Sequence, residues 1–231
     1  MALITLRNIS KIYPIGSQQI VAVDALNLTI NRREFAVLAG PSGSGKTTVL
    51  NIVGALDSAT EGTVTVAGEN YQQMTAKERA DFRLQRIGFI FQSYNLIPVL
   101  TAAENAEFIL MLQGIPAQLR RRQIEKLFTE LGIGGLEDRR PNDLSGGQQQ
   151  RVAIARAIAP QPAVILADEP TANLDSRTAE DLLELMRGLN RDKGMTFLFS
   201  SHDPLVIAHA ARVIRLRDGR LEEDSSTPDS L

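Results

Sequence analysis

The 231 residues contain no cysteine, which excludes disulfides and thiol chemistry and leaves the redox compartment open. No stretch approaches the run of about 18 consecutive apolar residues that a membrane-spanning helix requires, and Met1 to Arg7 lacks the basic-then-apolar layout of a secretion signal. The chain is therefore expected to be soluble by itself, with any membrane role exerted through a partner. Charge of one sign is also missing: 25 Lys and Arg face 27 Asp and Glu, for a net charge of −2. That balance gives no overall reason to expect nucleic acid. The short basic run Arg120-Arg121-Arg122 opens an expected helix with an apolar stripe at Ile124, Leu127, Phe128 and Leu131, and reads as its solvated face. Internal repeats and low-complexity segments are absent. With 43% hydrophobic residues, the chain is large for one domain and small for two, so one domain carrying a subdomain is expected.

The sequence does contain a phosphate cradle. Gly40-Pro41-Ser42-Gly43-Ser44-Gly45-Lys46-Thr47 fits G-x-x-x-x-G-K-[ST], a pattern that chance would produce about once in a hundred chains of this length at ordinary residue frequencies. Its glycines let consecutive backbone N–H groups face a polyphosphate, the next helix points its positive end at the same anion, and Lys46 adds a mobile charge. Thr47 is suited to a Mg²⁺ ion. The apolar run Phe35 to Ala39 precedes the loop, and Val49, Ile52, Val53 and Leu56 follow at helical spacing, which is the required strand, turn and helix order. Kinases, GTPases, helicases and transport ATPases all share this loop.

Alternating runs at Ile4 and Leu6 and at Leu26, Leu28 and Ile30, separated by the turn Pro14 to Ser17, predict strands of a partly antiparallel sheet, joined by Thr63 to Gly68. Ile87 to Phe91 predicts a buried strand ending at Gln92. From about Ser93 to Gln150 the pattern is mainly helical and reads as an insertion. The core then resumes with a helix from about Gln148 to Ala159, a strand Ala163 to Ala167, a helix through Leu182, Leu185, Met186 and Leu189, and a strand Met195 to Ser200. Such alternation implies parallel strands with right-handed crossovers. A hairpin from Arg212 to Leu221, turning at Asp218-Gly219, leads into a frayed polar tail from Glu222. The expected class is thus an α/β phosphate-loop fold: a mixed, mainly parallel sheet built from residues 1–92 and 151–231, with an N-terminal antiparallel subdomain and a helical subdomain over 93–150.

Two further sites carry chemistry. The strand Val164 to Ala167 runs into Asp168-Glu169, at the carboxyl end where open parallel sheets bind ligands. Asp168 is placed to hold Mg²⁺ through its water shell and Glu169 to act as general base; the alternative is an acidic pair opening a surface turn before Pro170. Ser145-Gly146-Gly147-Gln148 precedes the helix containing Arg151 to Ile158, and serves either as a second anion site or as a plain helix cap.

In family order, Gly40 to Thr47, Gln92, Leu144 to Gln148, Leu166 to Glu169, Asn173-Leu174-Asp175 and His202 resemble the Walker A, Q-loop, signature, Walker B, D-loop and H-loop of ABC ATPases. The resemblance covers almost the whole chain. It implies ATP and Mg²⁺ as ligands, with nucleotide contacts from Tyr13, Gly40, Ser42, Gly43, Ser44, Gly45, Lys46, Thr47, Thr48 and Gln92, and with Tyr13 stacking on adenine. The implied metal residues are Thr47, Gln92 and Asp168, the last through water, and the implied catalytic residues are Glu169, His202 and Lys46. It also implies a second copy of the chain as partner: each ATP lies between one subunit's phosphate loop and Ser145, Gly146, Gly147 and Gln148 of the other, while Asp175 couples the two sites across the interface.

Ile87 to Leu100 with Thr101 to Asn105, Ser145 to Arg156, and Ala167 to Asp175 are similar to the lipoprotein-releasing and macrolide-exporter (LolD and MacB) subfamily. That similarity implies a subunit peripheral to the cytoplasmic face of the inner membrane, driving an integral membrane permease that docks near the Q-loop, with no nucleic acid as partner. Tyr94, Leu96, Ile97 and Leu100 are candidates either for the docking groove or for plain core packing. Alternatives are a regulatory ATPase of the cell-division type signalling to a periplasmic hydrolase, and a soluble ATPase acting on nucleic acid or ribosomes; the absence of a long coiled coil and of a second cassette argues against the latter. Ser201 stands where a threonine commonly precedes the histidine, and Ala102-Ala103 departs from a common leucine; neither touches the chemistry.

Overall fold

The computed structural model describes residues 1–16 and 18–226. Two long strands, β1 (Ala2–Ile15) and β2 (Gln18–Asn31), pair antiparallel. They are followed by β3 (Phe35–Ala39), α1 (Lys46–Val53), β4 (Glu61–Val66) and the short β5 (Glu69–Asn70). The first sheet has the order β2-β1-β4-β5 and is antiparallel throughout. Ser17, in the expected turn, lies outside the described residues.

The second sheet is built from strands far apart in the chain. After α2 (Ala76–Arg86) come β6 (Ile87–Ile90), α3 (Ala102–Leu112), α4 (Ala117–Glu130), α5 (Gly146–Ile158), β7 (Val164–Asp168), α6 (Ser176–Lys193), β8 (Phe197–Ser201), α7 (Pro204–His209), β9 (Arg212–Arg217) and β10 (Arg220–Ser226). Its order is β10-β9-β3-β8-β7-β6, parallel except for the edge strand β10. Both faces are covered, so β3 is apolar at every position. Phe35, Val37 and Ala39 face the helical side with α5 and α6, whereas Ala36 and Leu38 face α1 and the first sheet. The two cores share one sheet as their wall.

Four expectations change. Leu56 is 48% exposed because α1 stops at Val53 and the chain turns away. The tail from Glu222 is β-strand to Ser226, since β10 pairs with β9; residues 227–231 lie outside the described residues. The helical stretch holds α3 and α4, but α5 begins at Gly146 and runs through residue 150, so the boundary expected there falls inside one helix. Two helices went unread. α2 buries only Phe82, so it shows no apolar stripe, and its signal is the capping box Thr75–Glu78. α7 has a short Asp203-Pro204 start of the same local kind.

Candidate functional site

β3, β8, β7 and β6 are neighbours in the second sheet, and their carboxyl ends deliver the phosphate loop, His202, Asp168-Glu169 and Gln92 to one edge. Gly45, at φ 98, is the N-cap of α1 and offers no side-chain cap, so the first amides of that helix are bare. Lys46 is only 7% exposed, and its Nζ donates to the carbonyls of Gly40 at 2.7 Å and Pro41 at 2.9 Å. The loop thereby offsets the cost of burying the ammonium. Ser44 Oγ is buried without a hydrogen-bond partner, an open valence in the lining that suits an incoming oxyanion. Glycine is required where the loop meets its support: a Cβ on Gly45 would come within 2.4 Å of the Ala22 carbonyl, and one on Gly40 within 2.2 Å of the Leu216 carbonyl. The hairpin turn braces the loop from behind, with Gly219 N–H donating to the Ser44 carbonyl at 3.2 Å. Ser42 and Gly43 are exposed, and Thr48 is half-buried.

Asp168 accepts from Thr47 Oγ1 at 3.1 Å, which joins the two residues expected at a metal. Glu169 stands beyond the strand end at φ 45, its amide still donating to Ser200 in β8 at 2.8 Å. The side chain is held at both oxygens. Buried Ser201 donates to Oε2 at 2.7 Å, and His202 Nδ1 lies 2.7 Å from Oε1. An ionised carboxylate only accepts, so Nδ1 carries the proton in this arrangement and neutral His202 has a bare Nε2. A histidine so placed donates to a phosphate only after turning from Glu169 or gaining a second proton. Its ring is 68% exposed against 16% for Glu169. Ser201 was missed as a site residue; the signal was a hydroxyl in a fully buried strand end beside an acid, where a partner is obligatory.

Ser145 caps α5 in a full capping box with Gln148: Gln148 N–H donates to Ser145 Oγ at 3.3 Å, and Ser145 N–H to Gln148 Oε1 at 2.9 Å. Among the described residues no hydrogen bond joins Ser145–Gln148 to the phosphate loop. Instead this start adjoins the segments after Gln92 and Asn173. Tyr94 Oη donates to the Asn173 carbonyl at 3.5 Å, Asn173 Nδ2 donates to the Gln92 carbonyl at 2.8 Å, and a Cβ on Gly146 would lie 3.0 Å from Tyr94 Oη. A Cβ on Gly147 would strike Thr178 at 2.5 Å. Asp175 caps α6, accepting from Thr178 Oγ1 at 2.6 Å and Thr178 N–H at 3.0 Å. The Thr178 hydroxyl and amide hold its carboxyl below the ordinary aspartate range.

Tyr13 stands beside α1 and is held by residues that sequence reasoning did not pick out. Its Oη donates to Asp57 at 2.7 Å, and Lys11 Nζ lies 4.8 Å from the ring centroid while bridging to Asp57 at 2.6 Å. Burial, and then Asp57, pushes the phenol above its ordinary pKa. Next to the Gln92 edge lies an apolar groove of about 400 Å³ lined by Leu84, Ile87, Phe89, Ile97, Phe108 and Ile109 among others. Of the four groove candidates only Ile97 lines it, and Leu96 packs on the core. Tyr94 and Asn95 take left-handed backbone at φ 59 and 50, and Arg156 donates to both carbonyls at 2.7 and 2.5 Å. Burial lowers the pKa of that guanidinium.

Residues 23–172 match the family described as ABC transporter. An uncharacterized ABC transporter ATP-binding protein of Thermotoga maritima is 45% identical over 92% of this chain and 90% of its own length. The macrolide export ATP-binding/permease protein MacB of Syntrophobacter fumaroxidans is 42% identical over 97% of this chain, which spans only 32% of that protein. MJ0796 of Methanocaldococcus jannaschii is 43% identical over 96% of both chains. The dimeric structure of MJ0796 in a post-hydrolysis state bound to ADP and Pi superposes with a TM-score of 0.89, covering 96% of this chain and 98% of that one. No described helix is long and apolar enough to cross a membrane.

Proposed function

This chain belongs to the ABC transporter family, and from that membership we propose that it is the ATP-hydrolysing subunit of a LolD/MacB-like transport or mechanotransmission complex, driven by head-to-tail dimerisation. One observation supports this most: Lys46, Thr47, Asp168, Glu169 and His202 converge on one sheet edge, while among the described residues no hydrogen bond joins Ser145–Gln148 to the phosphate loop. A triphosphate held by the phosphate loop then has one side free for Ser145, Gly146, Gly147 and Gln148 of a second copy. The dimeric state of the MJ0796 structure is consistent with that arrangement.

Within such a site the open amides of Gly43 and of Gly45 to Thr48 and the Lys46 ammonium bind the phosphates, the Ser44 amide being already given to the Pro41 carbonyl, and Ser42 and Thr48 border the loop. Tyr13, braced by Asp57 and Lys11, offers its free ring face to adenine. Mg²⁺, when bound, would neutralise phosphate charge and polarise the transferred group, and Thr47, Gln92 and Asp168 (through water) are the residues to hold it. Glu169 positions and deprotonates the attacking water, with Ser201 and His202 fixing its carboxylate. Asp175, beside the Gly147 neighbour Thr178, couples the two sites at the interface. Conformational work follows from the difference in dimer affinity before and after hydrolysis, since a ligand shifts an equilibrium only by its differential binding.

The apolar groove at Ile97 is the docking place of a permease, which would hold the subunit on the cytoplasmic face of the inner membrane. MacB is named as an ATP-binding/permease protein, and this chain matches 32% of its length. The helical arm, from Ser93 through α5, carries one wall of the groove (Ile97, Phe108 and Ile109) as well as Ser145, so docking and ATP closure act on one element. Glu169→Gln is expected to keep ATP-dependent dimerisation while turnover falls by about 100- to 10,000-fold, the usual worth of a general base. A monomer at saturating ATP with that variant, measured by light scattering, would falsify the sandwich arrangement.

A further inference from the structure

A second concavity, about 860 Å³, opens at the opposite end of the sheet, where β3, β7 and β8 begin. It lies within the size range of small-ligand sites. Arg32, Arg33, Arg86, Lys126 and Lys193 line it, against a single carboxylate, Glu130, which Lys193 engages. The other four cations have no side-chain hydrogen bond or ion pair with any described residue. Some arginines elsewhere are closely paired, as in Arg212 with Glu34 and Asp224, Arg220 with Asp24, and Arg121 with Glu125 and Asp138, and others stand singly on the surface; what sets the hollow apart is that five cations line one concavity. A fold with more acids than bases thus gathers unpaired cations around one hollow, where they repel each other.

Helix ends account for part of this charge. α2, α4, α5 and α6 all terminate on the hollow, at Arg86, Glu130, Ile158 and Lys193, and each C-terminus presents about half a negative charge. Five cations exceed those four ends and Glu130 together by about two charges. Arg32 and Arg33, in the turn between β2 and β3, belong to no helix end at all. Arg33 is held at φ 67, its Nε 2.9 Å from where a Gly194 Cβ would stand, so glycine at 194 makes room for the guanidinium over the rim.

We propose that this hollow binds a soluble, multiply charged phosphate compound, at a site separate from the nucleotide loop. Titration calorimetry of the full chain, saturated with ADP and free of divalent metal, tests it with inorganic tripolyphosphate as probe. One tripolyphosphate per chain is expected, with affinity that weakens as salt rises and falls at least ~10-fold, or ~1.4 kcal/mol, in Arg32→Glu/Lys126→Glu. ADP affinity, titrated separately, should not move, so a failure of the nucleotide assignment would show in a different experiment. Both substituted side chains are exposed and have no side-chain partner among the described residues; should the double variant not fold, Arg86→Ala supplies the same readout. No binding to the ADP-loaded wild type, or equal binding by wild type and variant, overturns the proposal. Charge-dependent sedimentation with phosphatidylglycerol vesicles in place of tripolyphosphate binding would overturn it as well, by assigning the hollow to a lipid surface.

Discussion

Two helices of this chain begin beside glycines, and they begin in opposite ways. α1 starts from Gly45 at φ 98 with no side chain on its amides, whereas α5 starts from Ser145 with a complete capping box. The first leaves its donors open, so an anion finds them ready and nothing has to be displaced. In the second, Gln148 has already given its amide to Ser145 and lent its side chain to the Ser145 amide. What remains for a phosphate is the Ser145 hydroxyl proton and the amides of Gly146 and Gly147. The difference separates a standing site from a supplementary one: α1 binds alone, and α5 adds donors to an anion that something else already holds.

Gly45→Ala should break the comparison most severely. The left-handed backbone and the Ala22 carbonyl 2.4 Å from the new Cβ predict a loss of about 2 kcal/mol or more, read as a lowered denaturant midpoint, together with lost ADP binding. Gly43→Ala is the control, since its Cβ meets nothing within 4 Å; equal damage in both would show that the close approach is not the cause. Ser145→Ala sharpens the contrast from the other side. It removes an N-cap, costing about 1 kcal/mol of stability, and should weaken ATP-driven dimerisation while monomer affinity for ADP stays unchanged. If dimerisation were unaffected, α5 would not be a phosphate ligand.

The smallest effect belongs to a third start, Asp175 on α6. Its folded carboxyl lies below the ordinary aspartate value, so its contribution to stability is complete above the unfolded pKa and is lost as pH falls through the depressed folded one. Asp175→Asn, an equally good cap, should match wild type at pH 7. Below about pH 4, near the unfolded aspartate pKa, the denaturant midpoint of the variant should fall less steeply with acid than that of wild type. Parallel curves would mean that Thr178 does not hold the carboxylate.

How much of this was legible in sequence depends on whether a residue acts through its neighbours in the chain. The phosphate loop, Asp168-Glu169 and the Ser145 cap are local patterns, and each stands where the pattern placed it. The strand that carries the loop was legible for the same reason, as an apolar run before glycines. Bonds made across the sheet were not. Ser201 reaches Glu169 only because β8 lies beside β7, and Lys11 meets Asp57, in the turn before β4, only because β4 pairs with β1. The contact of His202 Nδ1 with Glu169 is of the same kind, made between the ends of neighbouring strands. Leu56 failed for a different reason: its spacing continued the stripe of α1 past the point where Gly54 ended the helix. α2 lacked the stripe altogether, because only Phe82 is buried.

The brace behind the phosphate loop also has a meaning in time. β3 has β8 and β9 as its two neighbours, and the loop leans on the Gly219 turn. All of these are made more than 150 residues after Gly40, counting from the positions in the sequence. A ribosome that has released only the first two thirds of the chain has therefore released the nucleotide motif without the partners that shape it. Such distant pairing slows folding, and the loop gains its β8, β9 and Gly219 supports only when the last part of the chain has been made.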